Sequence, residues 1–92
     1  MNKLGAHMLV SGVVQGVGFR VTTQMKATEM DVYGWVKNLA DGRVEIEAEA
    51  EVETLYKFID LIKKGPRKFI TVDHVELTTY QDLKGYQNFK VV

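Results

Sequence analysis

The run Arg43–Glu49, RVEIEAE, constrains the fold more than any other stretch of this chain. Val44, Ile46 and Ala48 alternate with Arg43, Glu45, Glu47 and Glu49, a period of two that sends the apolar set to a core and the charged set to the opposite face. A sheet built on such a strand is apolar on one side only, so its strands are expected to run antiparallel with the glutamate face in water. Immediately upstream, Asp41-Gly42 within Ala40–Arg43 supplies the residue pair that tolerates the positive φ angles of a tight hairpin turn. Val32–Leu39 is therefore the partner strand.

The apolar face of that sheet needs a cover. Val52, Leu55, Phe58, Ile59 and Ile62 recur at helical spacing, and two lysines followed by Gly65 and Pro66 mark where that helix stops. Thr23, Ala27 and Met30 predict a second, shorter helix packed through small residues. Its β-branched Val21, Thr22 and Thr23 leave tertiary packing to hold it in place. Ala6–Val14 alternates as a strand, and Phe69–Tyr80 reads as another. The change of parity between Val72 and Val75 predicts a bulge near Asp73 and His74. Gln87–Val92 adds a last short strand. The order β, α, β, β, α, β with a terminal strand is that of a ferredoxin-like α/β sandwich, an α+β fold with two helices on one face of an antiparallel sheet. With 92 residues, a single domain spanning 1–92 is expected.

Against this economical frame, Ser11–Arg20, SGVVQGVGFR, stands out. A strand gives way to a glycine-rich loop that runs into a helix, a position where consecutive amide N–H groups can converge on an anion. Gly16 and Gly18 let the backbone approach a ligand, and Arg20 adds a planar fork of donors that fits phosphate oxygens. The loop lacks the Gly-Lys-Ser/Thr ending of a Walker motif and the spacing of a dinucleotide fingerprint. A plain strand-to-helix turn whose arginine pairs with a surface carboxylate satisfies the same pattern. Asn38, in turn, reads on its own as a residue that closes the hairpin start through local hydrogen bonds.

Composition removes several classes of function. Twelve basic and twelve acidic side chains balance, so no large field for gripping DNA or a membrane surface is expected. Cysteine is absent, which removes disulfides, thiolate nucleophiles and sulfur-ligated metals. No run approaches the roughly 20 apolar residues of a membrane span, and MNKLGAHM carries no secretory pattern, so a soluble cytoplasmic protein is expected. His7 and His74 lack ligand-spaced companions and read as ordinary surface or rim residues. Glu45, Glu47, Glu49, Glu51 and Glu53 read as a solvated face running into a helix start, and Tyr33, Trp35 and Tyr56 as partly buried packing in preference to a substrate entrance. An RNA-recognition module shares this element order but reads bases with aromatics where this chain has glutamates, so nucleic acid is not an expected partner.

GVVQGVGFR, followed after eighteen positions by Asn38 within YGWVKNLADGRVE, closely resembles the acylphosphatase family, as do KKGP at Lys63–Pro66 and VDHVEL at Val72–Leu77. The resemblance implies hydrolysis of small-molecule acyl phosphates to a carboxylate and inorganic phosphate by a ferredoxin-like domain that uses no metal or cofactor; separately, a monomer is expected. It carries the catalytic arginine onto Arg20, the catalytic asparagine onto Asn38, and the phosphate cradle onto the backbone amides of Gln15, Gly16, Val17, Gly18, Phe19 and Arg20. Two departures from the family pattern bear on local geometry: Asp31 stands where a glycine commonly ends the first helix, and Ala50 where one often follows the third strand. The alternative is a non-catalytic phosphate-sensing or regulatory module with the same cradle.

Overall fold

A computed structural model describes residues 2–92; Met1, which opens the stretch read for a leader, lies outside them. The elements follow in the order β1 Lys3–Val13, α1 Phe19–Glu29, β2 Tyr33–Asn38, β3 Val44–Glu51, α2 Val52–Lys64, β4 Thr71–Tyr80 and β5 Phe89–Val91. They form one five-stranded sheet ordered β4-β1-β3-β2-β5. The pairs β1–β3, β1–β4 and β2–β3 are antiparallel, and β2–β5 is parallel. The ferredoxin-like architecture is as expected, and the terminal strand makes the sheet mixed. Direction follows from connectivity. The chain leaves β4 at Tyr80, opposite Gly5, and enters β5 at Phe89, opposite Gly34, at the same end of the sheet. A chain that turns back between the two edges must run the last strand antiparallel to β4, hence parallel to β2.

The inward residues of β1 and β3 face one another in register, Ala6 with Ala48, Met8 with Ile46 and Val10 with Val44. All are fully buried, as are Leu55, Phe58 and Ile62 on the apolar stripe of α2. Phe58 and Phe89 meet edge to face at 6.1 Å, which seats β5 against the core. The expected bulge is present: Ser11 pairs with His74 and Gly12 with Val72, leaving Asp73 as the extra residue of β4. Helix α1 starts at Phe19, ahead of the series that announced it, and buries Thr22, Thr23 and Ala27 beneath it. Asp31 adopts the left-handed conformation that glycine would supply, with φ 57°. Ala50, by contrast, continues β3 opposite Leu4 with no positive φ and needs no glycine.

One expectation fails on the outer face of the sheet. Glu47 and Glu49, read as solvated, are each only 5% exposed. The segment 81–88 has to cross the outer face to reach β5, and it is held there by these two carboxylates. Glu49 accepts from the Tyr80 hydroxyl at 2.7 Å and from the backbone N–H groups of Lys84 and Gly85 at 2.8 and 3.1 Å. Glu47 accepts from the Lys84 ammonium and from the Tyr86 hydroxyl, the latter at 2.5 Å. The Tyr86 oxygen in turn accepts from Trp35 Nε1 at 2.9 Å. Burial pushes the Glu47 carboxyl up, but the Lys84 ammonium and Tyr86 hydroxyl outweigh it and hold this group below the usual carboxylate range. Burial, then the bond to Glu49, pushes the Tyr80 phenol well above its ordinary range. Glu45 is half-buried against His7, with 2.6 Å between Nε2 and Oε2, while Glu51 and Glu53 are exposed as expected.

Candidate functional site

The loop that follows β1 is pinned from beneath and open above. Val14 and Phe19 are each 1% exposed and Val17 packs partly buried against the core, so three apolar anchors fix the loop to the body of the protein. Gln15 ties it sideways. Its side-chain amide donates to the Leu39 carbonyl at 2.8 Å and to the Arg43 carbonyl at 2.9 Å, joining the loop to both arms of the β2–β3 turn. Gly16 and Gly18 both have φ 76°, and a Cβ at either would meet nothing within 4 Å. The backbone angle, not crowding by protein atoms, calls for glycine here, and the open side is left free for an approaching group.

Gly18 is also the N-cap of α1, and no side chain caps this helix end. The first turn contains no acidic residue. The N–H groups at a helix start lack intrahelical partners and carry the positive end of the helix dipole, so this one is unsatisfied and electropositive. Arg20 rises from that first turn. It forms no ion pair with an Asp or Glu side chain among the described residues, which removes the plain-turn alternative in which the arginine serves a surface carboxylate. Its one side-chain hydrogen bond among the described residues, from Nη1 to the Val92 main-chain oxygen, is at 3.5 Å, the long limit of such a bond.

Asn38 ends β2, paired with Val44. Hairpin closure does not use its side-chain oxygen. The turn is closed by Leu39 N–H to the Arg43 carbonyl at 2.8 Å, Gly42 N–H to the Leu39 carbonyl at 3.2 Å and Arg43 N–H to Asp41 Oδ1 at 3.0 Å. Asn38 Oδ1 is buried without a partner, as are the hydroxyls of Thr22 and Thr23. A buried acceptor left unbonded costs about 1–3 kcal/mol, so the Asn38 oxygen calls for a donor that the described residues do not supply. Arg20 and Asn38, together with Val14, Gly16, Gly18, Phe19 and Val21, line a single concavity of about 130 Å³.

Of the residues singled out in the sequence, Arg20, Asn38, Gly16, Gly18 and Phe19 thus meet around one space. Gln15 and Val17 belong to the same loop, but their side chains turn away to hold it. Sequence reasoning missed the double bond of the Gln15 side chain, because only a long-range contact reveals it. It also missed Val21, whose place on the lining follows from its position one residue after Arg20 in the first turn. A larger hollow of about 460 Å³ lies at the other end of the sheet, among Lys3, Asp31, Tyr33, Glu49 and Tyr86. Its one buried carboxylate, Glu49, is fully engaged by the crossing segment. Among the described residues no three His, Asp or Glu side chains are grouped to hold a metal ion, and no helix is long and apolar enough to cross a membrane.

The family model described as Acylphosphatase matches residues 6–91. An acylphosphatase of Listeria welshimeri is 49% identical over 87 residues, covering 95% of this chain and 94% of its own. The crystal structure of acylphosphatase from Bacillus subtilis superimposes with a TM-score of 0.92 at 42% identity, covering 97% of this chain and 98% of its own. The structure of an acylphosphatase from Coxiella burnetii gives a TM-score of 0.91 at 34% identity, covering 99% and 94%.

Proposed function

This chain belongs to the acylphosphatase family and hydrolyses acyl phosphates to a carboxylate and inorganic phosphate, and from that premise we propose that Arg20, Asn38 and the loop amides carry the reaction. The observation behind the assignment is the convergence on one concavity of a guanidinium with no Asp or Glu partner among the described residues, an uncapped helix start and a buried acceptor without a donor there.

The phosphoryl group of the substrate lies against the amides of Gln15, Gly16, Val17, Gly18, Phe19 and Arg20, with the Arg20 guanidinium on its oxygens. Phosphoryl transfer spreads charge over those oxygens in a loose transition state, so fixed donors and correct placement supply most of the acceleration. The Asn38 amide holds the attacking water by hydrogen bonding and directs its lone pair at phosphorus. The new bond joins the water oxygen to phosphorus, the bond from phosphorus to the bridging oxygen breaks with its electron pair on the carboxylate, and the water's proton passes to phosphate or solvent. A carboxylate leaves without being protonated, because its conjugate acid has a pKa of about 4. No general acid is needed, and none faces the concavity. An alkyl phosphate would expel a far more basic alkoxide, so mixed anhydrides are the substrates that suit this site. The proposal extends to a monomer and to one domain over 1–92 working in the cytoplasm, the location supported by the cysteine-free sequence.

Asn38→Ala tests the assignment. Holding water matters only while an attack is being made, so the variant is expected to lose turnover of benzoyl phosphate by about a hundredfold while binding inorganic phosphate nearly as well as the parent. A variant that folds and turns over at the parental rate refutes the water-holding role. One that folds but no longer binds phosphate assigns Asn38 to the cradle instead.

A further inference from the structure

The concavity around Arg20 and Asn38 is small. At roughly 30 Å³ per water, its 130 Å³ holds about four waters, enough for a phosphoryl group and its attacking water. A phosphoryl group and its attacking water take up most of that space, so a longer acyl chain extends over the rim. Gly16 and Gly18 contribute no side chain there, Val14 and Phe19 are buried, and Arg20 and Asn38 are polar. Val21 is the lining residue with an apolar side chain in solvent, 57% exposed. One helical turn further along α1, on the same face, Met25 is 55% exposed. An exposed valine and methionine four residues apart form an apolar strip about 6 Å long that begins at the mouth of the phosphate site. Both side chains of the strip are more than half exposed, whereas α1 buries Thr22, Thr23 and Ala27 inward. Scattered apolar residues on a surface need no explanation, but a strip that starts at the lip of a site does.

Resting on the acyl phosphate reading above, we propose that the acyl chain of the substrate leaves the concavity over Val21 and lies along α1 against Met25, so that this chain selects acyl phosphates whose acyl group carries an apolar tail. Methionine is suited to the task, since its flexible thioether follows ligands of different shape. Val21 sets the direction of the tail and Met25 the length that is rewarded.

The test is the series acetyl, butanoyl, hexanoyl and octanoyl phosphate, with inorganic phosphate as competitor. On a strip buried from one side only, each added methylene within its length is expected to raise kcat/KM about twofold, half the effect of full burial in free-energy terms. The rise should level off once the tail passes Met25. Val21→Ser is expected to flatten the whole series, and Met25→Ser only its longer members, with both variants checked for folding by thermal unfolding. Rates independent of chain length in the parent, or an unchanged slope in both variants, overturn the strip while leaving the phosphate site standing. If none of the four compounds is hydrolysed, the acyl phosphate reading falls and the strip with it.

Discussion

Replacing Gln15 with leucine separates the positioning of the site from its chemistry, because this side chain touches no reacting atom. Its amide makes two bonds, to the Leu39 and Arg43 carbonyls at 2.8 and 2.9 Å. Both acceptors keep other partners, Gly42 N–H for the first and Leu39 N–H for the second, so neither carbonyl is orphaned by the substitution. The loss is therefore two net hydrogen bonds at about 1 kcal/mol each, offset in part by leucine's apolar surface, or about 1–2 kcal/mol altogether. For a domain of this size, that lowers the unfolding midpoint by roughly 5–15 °C. The larger effect should be kinetic. Arg20 stands on α1 and Asn38 on β2, and the Gln15 bonds are what tie the loop before α1 to the turn after β2. A shift of about 1 Å between them can cost a hundredfold in rate, so kcat on benzoyl phosphate should fall by one to two orders of magnitude in protein that is still folded at assay temperature. Gln15→Glu sharpens the comparison: similar in size but without donors, it turns an anion toward two carbonyl oxygens and should be worse than leucine on both counts. Parental melting and kcat/KM in Gln15→Leu would refute the argument that this amide holds the two halves of the site together.

Arg20→Lys should cost about a hundredfold in kcat/KM and weaken inhibition by phosphate, since a point charge cannot reproduce a fixed pair of donors; near-parental kinetics would remove Arg20 from the site. Activity should persist in excess EDTA, because a guanidinium and backbone amides supply the charge stabilisation; loss restored by added magnesium would contradict this. Asp31→Gly should raise the unfolding midpoint by a few degrees, as glycine relieves a left-handed residue and gains about 0.5–1 kcal/mol net of its own unfolded-state entropy; a lowered midpoint would show that the Asp31 side chain contributes something the geometry does not reveal. The crossing segment should loosen in acid. Glu47 is held below its ordinary value of 4.5, so its contribution is present above that pH and is lost as pH falls through the folded value. Stability should be flat toward neutral pH and decline below about 4.5, and Glu47→Gln should remove part of that decline.

Much of this molecule is local in origin, and the local parts were legible. The Asp41-Gly42 turn, the alternation of β3, the α2 stripe with its Gly65 stop and the parity slip that became the Asp73 bulge each depend on residues within a few positions of one another. The loop and its partner asparagine were found because Gly16, Gly18 and Arg20 lie together and because Asn38 fits a known pattern; periodicity alone would have left Asn38 as a turn residue. Its unbonded Oδ1 could be found only in three dimensions, since the absence of a partner is a property of the whole surroundings.

The failure on the outer face has a more general cause. Alternation assigns each residue of a strand to one side of a sheet, but it does not say what lies on that side. Glu45, Glu47 and Glu49 share a pattern and differ in fate because the chain must travel from the β4 edge to the β5 edge, and it does so over the end of β3 that carries Glu47 and Glu49. A crossing segment brings unpaired backbone N–H groups, and those of Lys84 and Gly85 find no strand to bond to. A carboxylate on the strand beneath satisfies two of them at once, and with Tyr80, Lys84 and Tyr86 supplying further donors its burial becomes tolerable. The glutamates therefore do what an apolar residue at the same place could not: they anchor a strap that has no secondary structure of its own. The consequence reaches the candidate site, because the strap delivers β5 and the adjoining Val92, which bond to the elements that carry Asn38 and Arg20: to β2 through Val92 N–H and the Val36 carbonyl at 2.9 Å, and to α1 through Gln24 Nε2 and the Phe89 carbonyl at 3.0 Å.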